Sequence, residues 1–524
     1  MGKDDQRRIH LVSMGLLIVL AVFGLSRGMN KLFVGHHDFN SNLWMQTAKN
    51  NLKYGIGCTK LGQATTYYPT DCEHLTYYMN HPPLISWLET VSYGIFGLYE
   101  WAGRLPIVLI STGSVVLMYL LGVSLFNPLV GLTAGLLMLA TPMFLYFGKA
   151  INHEPLVLFG VLWAVYGYVK WIGSDSSKQK NSRVTKKWLG IFIASSVYTG
   201  LAGWHGYLVY PLLWLHLLVT RRWKKLVGAI VPIAILVAIY FLHRWHTCTI
   251  GDCSYSLFNK FLERAGATVT DQSVQYTLFG LVYKLLVWVK AFYSLILMGL
   301  TSVYMMGLAA KVMVEKRLRM GNQMILMLLL YGLSIPAVFS EQAFIHDYLL
   351  IYLLPFMVLG SAVVAEKVIG PVAKYVVETK KLPNEVNKQV VAGGLSLVLM
   401  GSVVWQTNAF RVALQTSSFA LPYYQMAQLI NSLKKQNSET NVVIEARGYY
   451  ELGYQYITNY SYGTHHTSRS DTLDKFMKDQ KELEKDYTDL ITVATNPVEQ
   501  PLIDYLNSTY THHGYGDLTV YVLP

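Results

Sequence analysis

Residues 105–126, LPIVLISTGSVVLMYLLGVSLF, are followed at 129–147 by LVGLTAGLLMLATPMFLYF and at 155–172 by PLVLFGVLWAVYGYVKWI. Each run approaches the roughly 20 apolar residues that carry a helix across the hydrocarbon core of a bilayer. The stretch reads as consecutive membrane helices, and it decides how the rest of the chain is read. Outward from it, comparable runs lie near 11–28, 188–203, 207–220, 226–243, 281–309, 322–339, 348–365 and 389–406. That makes about eleven transmembrane helices, with 281–309 long enough to include an interfacial turn. The composition agrees: of 524 residues 52% are hydrophobic and 14% charged, too apolar for an ordinary soluble enzyme of this size. Lys3, Arg7 and Arg8 ahead of the apolar residues 11–25 resemble a signal peptide, but no convincing small-residue cleavage site follows, so this segment is read as the first membrane helix.

The formal charge of +12 would suggest nucleic acid as the partner of a soluble protein. Its position says otherwise. With the N-terminus in the cytoplasm, segments 1–10, 173–187, 221–225, 311–320 and 366–388 hold 21 Lys+Arg against 7 Asp+Glu, which leaves a net −2 for everything else. The excess is a positive-inside signal, and nucleic acid is not expected as a partner. The opposite side receives the loop 29–104, the loop 244–280, short turns near 148–154, 204–206 and 340–347, and everything after about 407. It also receives thirteen of the fifteen histidines and all four cysteines. Cys58/Cys72 and Cys248/Cys253 are disulfide candidates on this oxidising side, with free buried thiols as the alternative.

The tail changes character, with 9 Lys+Arg, 13 Asp+Glu and no run long enough to span. Apolar β-branched stretches at 442–444, 490–493 and 518–522 alternate with helical stretches near 422–436, 471–485 and 498–507. The expected architecture is a polytopic α-helical membrane domain over 1–407 followed by a small α/β extracytoplasmic domain over 408–524. The tyrosines between 449 and 462 suit sugar stacking or core packing, and His465-His466 and His512-His513 suit metal or solvent.

Chemistry-bearing residues cluster where helices meet the outer side. His36-His37-Asp38 follows the first helix, and a carboxylate at a membrane edge is costly unless it is solvated, paired or used; helix capping is the plainer role. Tyr78-Met79-Asn80-His81-Pro82-Pro83-Leu84 holds His81 just before a helix, because paired prolines fix the backbone there. Glu100 and Arg104 stand four apart, the spacing of an intrahelical ion pair as well as of a substrate contact. Lys149, Asn152-His153-Glu154-Pro155, His205, Glu341 and His346-Asp347-Tyr348-Leu349-Leu350 add further polar groups on the same side.

In this order the residues resemble the GT-C glycosyltransferases that use polyprenyl-phosphate sugars, in particular the branch of protein O-mannosyltransferases and lipid A aminoarabinose transferases. The resemblance runs from Asp38 through Asn80-His81-Pro82-Pro83-Leu84 to Glu100-x-Ala102-x-Arg104-Leu105-Pro106, and resumes at Asn152-His153-Glu154-Pro155 and at His346-Asp347-Tyr348-Leu349-Leu350 with Pro355. This chain has Asp38-Phe39 where members often have Asp-Glu, and His81 where the aminoarabinose branch has a lysine.

The resemblance implies a membrane glycosyltransferase that moves a sugar from a polyprenyl-phosphate donor to a hydroxyl on a lipid, glycan or protein acceptor, with inversion. Asp38 is the expected general base, and Glu154 the second catalytic carboxylate. His81, Arg104, His346 and Lys149 are candidates for the donor phosphate, while His37, Asn80, His153, His205 and Glu341 are candidates for the acceptor side or for support. No cofactor is required by this chemistry; Asp38, His153 and Glu154 are ligand types that leave a divalent metal open. The expected location is the cytoplasmic membrane, or the endoplasmic reticulum in a eukaryote, with site and tail extracytoplasmic. A transporter or flippase of lipid-linked sugars and a glycan polymerase or ligase are the competing readings.

Overall fold

The structure, a computed structural model, describes residues 3–66, 71–174, 182–251, 257–267, 276–315, 318–380, 385–433, 441–445, 464–466, 472–486, 492–495, 499–515 and 518–523. Its helices in chain order begin with α1 (Lys3–Ser26), α2 (Asp38–Tyr54), α3 (Ile56–Thr59), α4 (Leu84–Phe96) and α5 (Glu100–Leu125). Next come α6 (Pro128–Ala140), α7 (Pro142–Phe147), α8 (His153–Gly173), α9 (Ser182–Ala202), α10 (Val209–Val219), α11 (Trp223–Ile250) and α12 (Leu257–Arg264). Then follow α13 (Leu278–Glu315), α14 (Met320–Val338), α15 (Ser340–Ile345), α16 (Leu354–Thr379), α17 (Glu385–Thr416) and α18 (Leu421–Ser432). Every apolar run read from the sequence falls on one of these helices.

Among the described residues eight segments are long and apolar enough to cross a membrane, fewer than the eleven expected. Local chemistry accounts for part of the difference. The run 129–147 breaks at Thr141-Pro142: the Thr141 hydroxyl accepts from the Phe144 amide at 3.3 Å, and Pro142, which has no amide proton to give, starts a new helix. The resulting α6 has only 13 residues and is buried almost throughout, a core helix and not a span. α10 has 11 residues. The long helix α13 bends at Ser294, where φ is 70°, so the turn expected inside 281–309 is present as a kink. The run at 348–365 opens as a 3-10 turn, Asp347–Leu353, before α16 with Pro355 in its first turn. α5 and α6 approach backbone to backbone, since a Cβ placed on Gly122 would lie 2.6 Å from the Gly131 Cα.

The chain divides into two compact units. One comprises 1–29, 80–85 and 104–415; the other takes 30–79 and 86–103 of the first loop together with 416–524. The loop thus groups with the tail and not with the helices that flank it. In the first unit α8 and the 347–379 segment are mostly enclosed by protein, while α1, α11 and α17 expose most of their apolar surface.

In the second unit, α2 buries an unusually polar face that holds the loop beyond it. The Gln46 amide donates to the Thr65 and Thr66 carbonyls, both at 2.8 Å, and Asn50 donates to Ala64 and Thr66 at 2.9 and 3.0 Å. These amides satisfy carbonyls that regular structure does not. Cys58 and Cys72 close the same loop as a disulfide. Cys248 is also disulfide-bonded, and Cys253 lies outside the described residues. Cys58→Ser should lower stability by about 3 kcal/mol, the chain-entropy value for a loop of this size. A melting temperature unchanged from wild type in the oxidised protein would mean the amide ladder alone holds the loop.

The tail contributes strands β1 (Asn441–Glu445), β2 (Thr464–His466), β3 (Thr492–Thr495), β4 (Thr511–Tyr515) and β5 (Leu518–Leu523), and helices α19 (Leu473–Asp486) and α20 (Gln500–Thr509). They form one sheet of order β2-β1-β3-β5-β4, parallel through β2, β1 and β3 and antiparallel beyond. One apolar cluster, Phe476, Leu502 and Leu506 against Ala494 and Tyr521, packs both helices on the sheet. Another joins Val34 and Phe39 of the loop to Tyr423, Met426, Ala427 and Val520 of the tail. His465-His466 and His512-His513 fall on strands at opposite edges of the sheet, so they do not form a shared metal site. The tyrosines at 449, 450, 454, 456, 460 and 462 lie outside the described residues.

Candidate active site

Three histidines and a carboxylate from three separate stretches meet in the first unit. His81 lies in the bend before α4, where Pro82-Pro83 leads into the helix and the Asn80 carbonyl accepts from the Trp204 indole at 2.6 Å. His153 and Glu154 are the first two residues of α8, and the Asn152 side chain caps that helix by accepting from the His153 amide at 3.0 Å. A carboxylate in the first turn is favoured by the helix dipole. His205 sits on the 3-10 turn Trp204–Leu208 between α9 and α10. This turn presses so closely on α9 that a Cβ on Gly206 would lie 2.3 Å from the Thr199 methyl. Glycine here is what brings His205 inward. The His81 ring stacks on His153 with centroids 4.6 Å apart and lies 6.2 Å from His205.

Partners from late elements complete the cluster. His205 Nε2 is 3.2 Å from the Gln342 side-chain oxygen, and its ring is 5.5 Å from that of Tyr352. His153 Nδ1 is 2.7 Å from the Ala202 carbonyl. His153, Glu154 and His205 are 3%, 3% and 1% exposed, and His81 is half-buried with its Nδ1 sealed from solvent.

Burial pushes the His205 imidazole down to about 4, against the Gln342 contact, which pulls the other way. His81 is held well below its ordinary value by burial first, then by the His153 and His205 rings and the Arg264 charge. Both rings are therefore neutral at pH 7. The linkage has a definite sign. The unfolded chain takes up the His205 proton near pH 6.5 and the folded chain only near pH 4, so this contribution to stability is complete above pH 6.5 and declines as pH falls toward 4. A thermal-denaturation series should show that decline, and His205→Asn should flatten it; identical slopes in the two proteins would remove His205 as its source.

The remaining candidates divide. Arg104, 4% exposed, donates to the Met29 carbonyl at 2.7 Å, and Lys149 donates to the Arg27 carbonyl, so both tie down the chain just after α1. Glu341 pairs with Arg264 at 3.0 Å. His346 stacks on Tyr348 at 4.8 Å. Asp38 and His37 belong to the second unit. There Asp38 opens α2 after His37, whose φ is 59°, and its carboxylate accepts from the Gly35 amide at 2.9 Å and the Ser41 hydroxyl at 3.3 Å. Within the first unit alone, no three histidine, cysteine or carboxylate ligand atoms of the described residues lie within 4.8 Å of one another. His153 and Glu154 therefore have no complete ligand set there. Arg264, Gln342 and Tyr352 were not legible as site residues, since these partners lie between 77 and 147 positions away.

The fold has solved counterparts. It matches ArnT from Cupriavidus metallidurans, crystallised with undecaprenyl phosphate, with a TM-score of 0.62 over 98% of this chain and 97% of that one at 13% identity. The two chains share one fold. The archaeal oligosaccharyltransferase AglB from Archaeoglobus fulgidus, solved with an inhibitory peptide and a dolichol-phosphate, matches with a TM-score of 0.57 over 98% of this chain and 74% of that one at 11% identity. Residues 80–245 match the family model of dolichyl-phosphate-mannose-protein mannosyltransferases. That segment contains His81, His153, Glu154 and His205. The proposed mannosyltransferase YkcB of Bacillus subtilis (strain 168) is 28% identical over 165 residues, which is 31% of this chain and 22% of that relative's length. With eight apolar helices of spanning length among the described residues, the chain is a multi-pass membrane protein.

Proposed function

We propose that the chain is a glycosyltransferase that takes its sugar from a polyprenyl-phosphate donor at the extracytoplasmic face. The observation that carries the reading is the buried His81–His153–Glu154–His205 cluster inside the segment that matches the mannosyltransferase family. The lipid phosphates with which the ArnT and AglB structures were solved support a donor of the same chemistry. The concentration of positive charge on the other side of the helices supports the orientation.

The reaction breaks the bond between the anomeric carbon and the phosphate oxygen, and forms one to an acceptor hydroxyl with inversion. Asp38 takes the hydroxyl's proton as the bond forms. His81 donates a hydrogen bond to the departing phosphate, and Arg264, whose charge is felt at His81, neutralises it. Arg104 and Lys149 act by anchoring the backbone after α1. Glu154 orients the acceptor hydroxyl or the sugar. No step passes through a metal.

The test is to incubate the purified full-length protein in nanodiscs with a panel of polyprenyl-phosphate sugars and follow each by mass spectrometry. Loss of sugar from at least one donor, to water or to an added acceptor, is expected. Folded protein that consumes none of them would overturn the reading.

A further inference from the structure

The histidines of the cluster have their protons assigned by what they touch. The Ala202 carbonyl can only accept, so the proton of neutral His153 sits on Nδ1 and the lone pair on Nε2. The Gln342 oxygen likewise can only accept, so His205 carries its proton on Nε2 and its lone pair on Nδ1. His205 Nδ1 is sealed from solvent and has no hydrogen-bond partner among the described residues. The same holds for Glu154 Oε2 and for the Tyr352 hydroxyl, whose ring lies 5.5 Å from that of His205. One buried cluster therefore offers an imidazole lone pair on His205 and a carboxyl oxygen on Glu154 that no donor of the described residues meets. Such groups are costly to bury unless something supplies hydrogen-bond donors. A phosphate, which is all lone pairs, cannot do so. A sugar's hydroxyls can.

We infer that His205, with its tautomer set by Gln342, accepts a hydrogen bond from a hydroxyl of the transferred sugar, and that Glu154 receives a neighbouring hydroxyl. Gln342 is then a positioning residue. The inference rests on the donor reading above and adds an orientation: the phosphate faces Arg264 and the polyol faces these lone pairs. It also separates His205 from His81, since the same residue type reads hydroxyls at one position and meets phosphate at the other.

The experiment compares undecaprenyl-phosphate-linked mannose with its 2-, 3-, 4- and 6-deoxy analogues as donors for the full-length protein. Wild type should prefer the parent sugar over one of these analogues by about 10- to 100-fold in kcat/KM, the size of one hydrogen bond to a buried group. His205→Phe should lose that preference by slowing the parent far more than the matching analogue. His205→Asn, which can still present an oxygen, should keep part of it. Gln342→Leu should raise KM for the parent about 10-fold, whereas Gln342→Glu, which can only accept from His205, should restore binding and shift the acid limb of the rate profile to higher pH. Discrimination in a folded His205→Phe or Gln342→Leu protein equal to wild type overturns this inference alone. Failure of wild type to consume any of the donors overturns the donor reading and this inference with it.

Discussion

Asp38→Asn should fold and insert like wild type and transfer almost no sugar, with kcat reduced by about 10²- to 10⁴-fold, the usual worth of a positioned general base. Asparagine is the right replacement. The native carboxylate accepts from the Gly35 amide and the Ser41 hydroxyl at the start of α2, directly after a residue at φ 59°. The asparagine side-chain oxygen can keep one of those contacts and so preserve the turn, while the amide has no basic lone pair for a hydroxyl proton. Alanine would release the turn and confuse folding with chemistry. Two readouts separate the causes: a melting temperature within a few degrees of wild type, and single-turnover transfer from the donor identified by the panel. Turnover within threefold of wild type would remove Asp38 as the base and shift attention to Glu154.

The second large effect is expected at Arg264. Its guanidinium contacts both oxygens of Glu341, at 3.2 and 3.0 Å, and its charge reaches His81. Replacing it by methionine removes the cation assigned to the leaving phosphate and leaves the Glu341 carboxylate without it. Losing electrostatic stabilisation of a departing anion commonly costs about 3–4 kcal/mol, or 10²- to 10³-fold in rate. The double variant Arg264→Met/Glu341→Gln separates the two consequences. It should recover stability lost through the stranded carboxylate but not the rate. Recovery of both would show that Arg264 serves only to pair Glu341. Lys at the same position should rescue part of the rate, since it keeps the charge and loses the fork.

The comparison of Arg264 with Arg104 and Lys149 shows how far the amino-acid sequence could be read. All three are cations near the ends of helices, and by residue type Arg104 and Lys149 were the better candidates for phosphate because they sit beside recognisable motifs. The structure gives each of those two a backbone carbonyl at the end of α1. Arg264 belongs to a short helix with no motif, and it gains meaning only through Glu341, 77 positions later. Cations near a site compete for anions and carbonyls that arrive from elsewhere in the chain, and sequence spacing carries no record of that competition. Asp38, Glu154, His81, His153 and His205 could be picked out early for a different reason: a polar side chain at the edge of an apolar run is conspicuous against its neighbours.

The positions of the apolar helices, the asymmetry of charge along the chain, and three of the tail's five described strands with its helical stretches were determined by the sequence alone, because hydrophobic length, charge and periodicity are properties of consecutive residues. Which runs are enclosed core helices, as α6 is, which loop groups with which domain, and where each histidine carries its proton were decided only by the tertiary structure. The physical reason is the same in each case. Burial and hydrogen bonding depend on what is packed opposite, and for His153 and His205 those partners, Ala202 and Gln342, lie 49 and 137 residues away.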